Sequence, residues 1–229
     1  AEPGVLAHGN FLVKPLQAGS LPALAGGYEI LETDGNGNPR KLRLEGLGMR
    51  QRSGNAAYWA QRLQSVFDRD AVKGIEWLTC REQEDHLGVH HFAYDLSFDG
   101  VPVHGAEYLL HVYPGGEVMA HGQFSMPVHP LDAKIAPGAA RDFATAALQQ
   151  RGIRLSTPDV SLPGSLIPIQ EDPRLQYVQY PQSGTWKLVY EMLIYPSPLS
   201  RYLAWVDAQT GEVIKLRTDQ CKLHYGHSD

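Results

Sequence analysis

The sequence predicts an α+β fold with two subdomains, each an antiparallel β-sheet packed against one main helix. Two stretches with a helical apolar stripe, 55–68 and 137–151, are each followed by several short β-prone segments. A Pro-flanked stretch near residue 130 separates the two series and suits a boundary between subdomains. At 229 residues the chain is long enough for two small domains, each with its own core.

The composition favours a folded protein and argues against two classes of partner. Hydrophobic residues make up 43% and charged residues 20%, values typical of globular domains. The formal net charge is -5 and no basic block is present, so nucleic acid is not expected as a partner. No apolar run reaches the roughly 20 residues of a transmembrane helix, so no membrane partner is expected. The chain starts at Ala1 without Met or an apolar signal region, which fits either the removal of a signal peptide or a trimmed chain, so export has to be inferred from other features. The expectation is a secreted or periplasmic protein whose signal peptide has been removed.

Residues 1–49 are interpreted as an N-terminal extension with a hairpin. Two β-prone runs between 28 and 43 flank the turn signal Asp-Gly-Asn-Gly-Asn-Pro. Asp34 and Glu45 also match the first and last ligand positions of a calcium loop, but Pro39 stands where such a loop needs Gly. A hairpin turn is therefore favoured over a calcium site.

Residues 50–128 are predicted to form a helix packed on an antiparallel sheet. Asn55 is a good N-cap for a helix that ends near Asp68 and carries an apolar stripe at three- and four-residue spacing. Within 88–98, apolar and polar residues alternate as in a half-buried strand. The predicted strands of this subdomain are 74–84, 88–98, 101–113 and 117–125.

In the third of these strands the apolar alternation changes phase. Val101 and Val103 share one parity, whereas Ala106 and Tyr108 share the other. A one-residue slip turns side chains to the opposite face of a sheet, so the sequence predicts a β-bulge at His104-Gly105.

Residues 129–217 are predicted to form the second subdomain, and 218–229 a junction tail. Pro137 suits the first turn of a helix that runs to about Arg151, and Gly152 is its C-terminal stop. The helix residues expected to face inward are Phe143, Ala144, Ala147 and Leu148. The predicted strands are 165–169, 175–180, 185–195, 200–208 and 212–217.

The segment 98–107, Phe-Asp-Gly-Val-Pro-Val-His-Gly-Ala-Glu, resembles the FTP module of fungalysin and thermolysin propeptides. That module is marked by a similar Gly-Val-Pro-Val-x-Gly-Ala-Glu signature. The physical content of the match is a tight turn followed by a bulge, where Gly105 can adopt a backbone conformation that other residues resist. The matching residues are Gly100, Val101, Pro102, Val103, Gly105, Ala106 and Glu107.

The second subdomain resembles a PepSY module. Residues 186–191, Trp-Lys-Leu-Val-Tyr-Glu, are similar to its penultimate core strand, and residues 202–213 are similar to its closing hairpin. In that hairpin Asp207 can accept hydrogen bonds from turn amides while Gly211 supplies a positive φ angle. The structural motif residues here are Trp186, Tyr190, Glu191, Asp207 and Gly211.

An FTP module followed by a PepSY module is the order found in the pro-regions of thermolysin-like precursors. The resemblance implies cystatin-like subdomains and a pro-region that acts as intramolecular chaperone and active-site inhibitor of a zinc protease domain, in cis or after cleavage in trans. No His in the chain is followed by Glu, so the His-Glu-x-x-His zinc motif is missing and no catalytic residue or cofactor is assigned to this chain. Zinc would belong to the protease domain. The alternative is a free-standing secreted protease inhibitor or binding module.

Cys80 and Cys221, the two cysteines, form a possible disulfide in an oxidising compartment. Cys221, His224 and His227 have ligand types and spacing that could reach the catalytic zinc of a protease, although a junction awaiting cleavage is favoured.

Three strand histidines, His91, His111 and His121, could share one face and form a metal cluster or a pH switch, although solvated sheet histidines are favoured. Glu107, Glu191 and Asp207 could be mistaken for acid and base residues. Their places beside turns and strands favour structural hydrogen bonding.

Overall fold

In the computed structural model, the described residues are 27–45, 55–67, 74–127, 129–155, 172–180, 183–197 and 200–219. The chain divides into two compact units, Ala1–Pro130 and Leu131–Asp229. Each unit contains an antiparallel sheet and one helix among its described residues, so the α+β prediction is confirmed. The assignment of 1–49, 50–128, 129–217 and 218–229 to separate modules stays a prediction. No helix in the described ranges is long and apolar enough to cross a membrane.

The first unit has a sheet of six described strands that are all paired antiparallel. Their order across the sheet is β1, β2, β6, β5, β4, β3, so the predicted N-terminal hairpin joins the sheet through the pairing of β2 with β6. The bounds are β1 (Tyr28–Thr33), β2 (Pro39–Leu44), β3 (Ile75–Glu84), β4 (His90–Phe98), β5 (Val101–Val112) and β6 (Val118–Gln123).

The turn between β1 and β2 is held by the carboxylate of Asp34. Its Oδ1 accepts hydrogen bonds from the amides of Asn36 and Asn38 at 2.8 and 2.9 Å, and its Oδ2 accepts one from Asn38 Nδ2 at 3.1 Å. The carboxylate of Glu45 accepts from the amide of Gly27 at 3.1 Å. Both carboxylates therefore hold backbone amides of the hairpin, and the predicted hairpin is confirmed.

Helix α1 (Ala56–Gln64) begins at Asn55, whose side chain accepts a hydrogen bond from the amide of Tyr58 at 2.9 Å. That bond satisfies one of the unpaired amides of the first turn, as the predicted N-cap requires. The hydroxyl of Tyr94 on β4 donates to the carbonyl of Ala56 at 2.8 Å. Apolar residues of the helix and of the turn that follows it are buried against the sheet: Trp59, Leu63, Val66 and Phe67.

An aromatic cluster forms the centre of the first core. Phe67 stacks on Phe124 with ring centroids 4.4 Å apart and meets Trp77 and Tyr108 at 5.6 and 5.9 Å. The Tyr108 hydroxyl donates to the carbonyl of Pro39, and burial raises its pKa. Large buried rings of this kind contribute much of the hydrophobic stabilisation of a small domain.

The second unit has a sheet of four described strands in the order β7, β8, β9, β10, all paired antiparallel. The predicted strand at 165–169 lies outside the described residues. The bounds are β7 (Arg174–Gln179), β8 (Trp186–Ser197), β9 (Ser200–Asp207) and β10 (Val213–Thr218).

Helix α2 (Pro137–Gln150) starts with Pro at its first turn, as predicted. Gly152, two residues after the end of the helix, has a φ angle of 77°. The amides of Gly152 and Ile153 donate to the carbonyls of Gln149 and Leu148 at 2.9 and 3.1 Å. This pattern is a Schellman motif and confirms the predicted stop.

The prediction of the inward-facing residues of α2 was right for Ala144 and Leu148 and wrong for Phe143, and Ala147 is half-buried. The buried stripe consists of Ala140, Ala144 and Leu148, at strict four-residue spacing. Phe143 lies beside this stripe and is 44% exposed, because its ring covers the turn at Gly211 rather than the sheet.

Candidate functional site

The segment 98–107, which carries the motif, contains the turn between β4 and β5. Asp99 and Gly100 connect Phe98 to Val101, and both have positive φ angles, 48° and 76°. Two central residues with positive φ are the mark of a type I′ turn, whose twist matches that of the paired strands. The amide of Asp99 donates to the carbonyl of Gly74 at 2.8 Å, which ties the turn to the start of β3.

The strand after this turn contains extra residues relative to β4. Pairing passes from Asp95 with Glu107 directly to Ser97 with Pro102, so β5 bulges between these two contacts. The bulge encloses the predicted position, His104-Gly105. Bulges bend a strand and redirect its side chains.

Gly105 allows the bulge to form because its φ angle is 78°. As a consequence Val103 and Ala106 are both buried, at 4% and 1% exposure, although their odd spacing would place them on opposite faces of a regular strand. The bulge at Gly105 therefore explains the phase change of the apolar alternation, as predicted.

Gly122 of β6 makes a close backbone approach that our sequence reasoning missed. It pairs with Tyr108, and a Cβ atom at this position would lie 2.0 Å from the carbonyl oxygen of Glu107 and 2.8 Å from Cα of Tyr108. Only glycine fits without separating the two strands. A glycine inside a strand pattern was the available signal, because it often marks such an approach.

The motif carboxylate Glu107 is exposed and lies directly opposite Asp95, which is also exposed. Like charges at directly opposed positions destabilise a sheet. The pairing of Glu107 with Asp95 therefore does not stabilise the strand pair, and the structural hydrogen bonding expected of Glu107 stays a prediction.

The three predicted histidines lie together on the sheet face opposite α1, and we refer to His91, His111 and His121 as the histidine row. His91 pairs with His111 in the strand register, and their Nδ1 atoms are 2.6 Å apart. The rings of His111 and His121 stack with centroids 5.0 Å apart. Asp85, in the turn before β4, has its Oδ2 atom 3.0 Å from His91 Nε2.

The arrangement of the row favours hydrogen bonding over metal binding. Two nitrogen ligands of a tetrahedral Zn²⁺ stand roughly 3.3 Å apart, given Zn–N bonds of about 2.0–2.1 Å. The His91 and His111 nitrogens are closer than that and at hydrogen-bond distance. Within the described parts of the chain, no group of three or more His, Cys, Asp or Glu is arranged to hold a metal ion.

In the second unit Asp207 organises the closing hairpin. Its Oδ1 accepts from the amides of Gln209 and Thr210 at 2.8 and 3.1 Å, and its Oδ2 pairs with Lys187 Nζ at 3.0 Å. Burial opposes its ionisation, but these partners outweigh burial and lower the pKa of Asp207. Gly211 ends the turn with a φ angle of 80°.

Glu191 receives two hydrogen bonds on one carboxylate oxygen. Gln176 Nε2 and Trp205 Nε1 donate to its Oε2 at 2.8 and 2.7 Å, and Lys215 Nζ lies 3.5 Å from the centroid of the Trp205 ring. The carboxylate is thus committed to contacts between strands.

Two other motif residues of β8, the strand that carries Glu191, are also held in the sheet. Tyr190 donates from its hydroxyl to the carbonyl of Ile135 at 2.9 Å. Trp186 is half-buried opposite Gln179. These contacts give both residues a place in the packing of the second unit.

Cys80 sits at a register shift between Thr79 and Arg81, where its thiol donates to the carbonyl of Ala93 at 3.2 Å. Burial, followed by the nearby Asp95, raises the pKa of the Cys80 thiol. Three other predicted positions lie outside the described residues, so the disulfide and the tail ligands stay predictions: Cys221, His224 and His227.

A family model described as the Fungalysin/Thermolysin Propeptide Motif matches residues 81–123. The matched residues contain β4, the type I′ turn, the bulge, β5, β6 and the Gly122 contact. The chain therefore carries this propeptide motif, and the resemblance stated from the segment 98–107 is confirmed.

Among solved structures, the Bacillus megaterium YpeB C-terminal domain matches with 14% sequence identity and a TM-score of 0.36. The match covers 81% of this chain and 74% of that one. A TM-score of this size supports no inference, so the resemblance of 129–217 to a PepSY module stays a prediction. No curated protein matches the chain in sequence.

Proposed function

We propose that this chain is the pro-region of a thermolysin-like metalloprotease and acts as intramolecular chaperone and active-site inhibitor of the zinc protease domain. The observation that carries the proposal is the propeptide motif over residues 81–123. The details that make this segment distinctive are backbone devices: a type I′ turn, a bulge at Gly105 and a glycine contact at Gly122. A segment specified in this way fixes the shape of a surface rather than a set of reacting groups.

A preformed sheet is suited to the chaperone role. Large secreted proteases can fold slowly because a kinetic barrier separates the collapsed chain from the native state. A partner that binds the native-like arrangement stabilises it by mass action. The first unit offers a preformed template because its sheet packs on a core of buried aromatic rings around Phe67 and Trp77.

In this proposal the protease domain binds the zinc ion and this chain does not. The 229 residues contain no His followed by Glu, so the zinc-binding and general-base motif of such enzymes is absent from this sequence. The chain's own carboxylates at Asp207 and Glu191 are engaged by amide, indole and ammonium donors. The pro-region contributes binding, and catalysis belongs to the domain that it serves.

The partner that we propose is the cognate protease domain, first in cis and then in trans after cleavage. Proteases of this kind are secreted, which agrees with a chain that functions outside the cytoplasm. The tail after residue 217 is the segment that we expect to run toward the protease cleft.

A refolding experiment tests the chaperone half of the proposal. The denatured thermolysin-like protease of the source organism is diluted into buffer with this chain, with the variant Gly122→Ala, or with neither, and active protease is counted after removal of the chain. We expect a saturable increase in yield with the wild-type chain and a smaller one with Gly122→Ala, whose surface is distorted. Equal yields with and without the wild-type chain contradict the chaperone role.

A further inference from the structure

The hydrogen-bond order within the histidine row follows from the carboxylate of Asp85, which contacts His91. A carboxylate only accepts hydrogen bonds, so the contact of Asp85 with His91 at 3.0 Å requires a proton on His91 Nε2. In neutral His91 the Nδ1 atom is then an acceptor, and the bond of 2.6 Å requires His111 to donate from its own Nδ1. The tautomers of both rings are thereby assigned by their partners.

The His91–His111 hydrogen bond persists when one of the two rings takes a proton, but not when both do. When His91 takes a proton, its Nδ1 donates to His111, which accepts as the other tautomer, and the bond survives. When both rings are protonated, two N–H groups face each other at the same place and the bond is lost. A charged His121 ring stacked on His111 at 5.0 Å adds a second repulsion.

The charged groups on the surrounding strands do not offset a positive charge on His111 or His121. Asp85 is bonded to His91, at the far side of the row from His121. On β2, Lys41 is paired with His121, and Arg43 lies beyond Met119, the strand partner of His111.

The remaining charged groups near the row are already engaged or lie farther along the strands. Arg43 is bound by Glu29 at 2.5 Å and approached by Glu117 at 3.8 Å. The other groups that face this side from the packed strands and turns are Gln83 opposite His91, Arg81 opposite Ala93, Glu32 opposite Lys41, and Glu107 and Asp95 farther along β5 and β4.

We propose that the histidine row is an acid-sensitive switch of the pro-region: protonation of both His91 and His111, with repulsion from a charged His121 ring beside them, breaks the His91–His111 bond, weakens the pairing of β4, β5 and β6, and so promotes release of the protease on acidification. The last step rests on the proposed function, whereas the loss of stability in the first unit does not.

The pH window follows from the direction of the shift. Burial, then the neighbouring His121 and His91, lowers the pKa of His111 below its ordinary value of about 6.5. The unfolded chain therefore binds this proton more readily than the folded chain. The stabilisation is complete above about pH 6.5 and is lost as the pH falls through the lowered folded-state pKa.

Asp85 acts in a separate window. The hydrogen bond from His91, with those from the amides of Val89 and Leu87, lowers the pKa of Asp85 to about 2. Its contribution is present above about pH 3.9 and is lost only as the pH falls toward 2. A loss of stability between neutral pH and about pH 5 therefore does not come from this carboxylate.

The experiment is thermal unfolding of the full chain by calorimetry, from about pH 7.5 to about pH 5. We expect the Tm of the first unit to fall over this range in the wild type, and to fall by less than half as much in His111→Gln and in His121→Gln. His129→Gln removes an exposed histidine of the same unit and is the matched control, which should keep the full decrease. His121 is exposed, so its variant stays informative if His111→Gln fails to fold.

Hydrogen exchange at the two pH values, corrected for intrinsic rates, localises the change. Faster exchange confined to β4, β5 and β6 supports the switch. A wild-type Tm that does not change, or equal decreases in all four proteins, overturns it. Inhibition of the protease at neutral pH is scored separately, so a chain with the stability switch but without inhibition sinks the proposed function and leaves the switch standing.

Discussion

The substitution Gly122→Ala tests whether the propeptide motif is defined by a close backbone approach. The added Cβ atom would lie 2.0 Å from the carbonyl oxygen of Glu107, whereas unstrained carbon and oxygen atoms stay more than 3 Å apart. Because the clashing atoms belong to the backbone of β5, no side chain can rotate away. Strands β5 and β6 must separate by about 1 Å at this point.

The expected cost can be worked from two contributions. Overpacking in a well-packed region costs about 1–3 kcal/mol. Loss of one strand hydrogen bond at the Tyr108–Gly122 pair adds about 1 kcal/mol. A total of about 3 kcal/mol corresponds to a decrease in Tm on the order of 10 °C for a unit of this size.

The assay is urea unfolding of the full chain, followed by calorimetry to separate the two units. Gly115→Ala is the matched control because it lies in the β5–β6 turn and a Cβ atom there meets nothing within 4 Å. We expect the control to change the free energy of unfolding by less than about 0.5 kcal/mol. If Gly122→Ala is equally neutral, the contact does not constrain the motif and the reasoning is wrong.

Two further predictions concern the closing hairpin of the second unit. Asp207→Asn should make the stability of this unit less dependent on acidic pH. In the wild type the carboxylate stabilises the unit above about pH 3.9, and this stabilisation is lost as the pH falls through the lowered pKa of Asp207. Unfolding curves of both proteins at several pH values measure the difference. Gly211→Ala should cost about 1–3 kcal/mol, because its φ angle of 80° strains an L side chain and its Cβ atom would lie 2.6 Å from the Phe143 ring. Adding Phe143→Ala to Gly211→Ala should not restore the wild-type stability, since the φ strain remains; full recovery would show that only the ring contact matters.

Local patterns in the sequence predicted much of the fold because they depend on nearby residues. The apolar stripe and N-cap of α1 follow from spacing and from Asn55. The bulge follows from the phase change between Val103 and Ala106. The end of α2 follows from Gly152.

Features that depend on the pairing of distant strands were not predictable in this way. The Gly122 contact exists only once β6 lies beside Glu107 of β5. The addition of the N-terminal hairpin to the sheet depends on the pairing of Leu42 with Ala120, far apart in sequence. The His91–His111 bond needs an exact strand register, since a slip of one residue would turn one ring to the core. Phe143 was misplaced because its neighbour at Gly211 belongs to another element.

The most direct test of the pro-region hypothesis is inhibition of the mature thermolysin-like protease of the source organism by this purified chain. The measurement is residual peptidase activity at neutral pH over a concentration series of the full chain and of a variant that lacks residues 218–229. Saturable inhibition by the full chain, weakened by the deletion, is the result that the account predicts. Unchanged protease activity at every concentration of the full chain would contradict it.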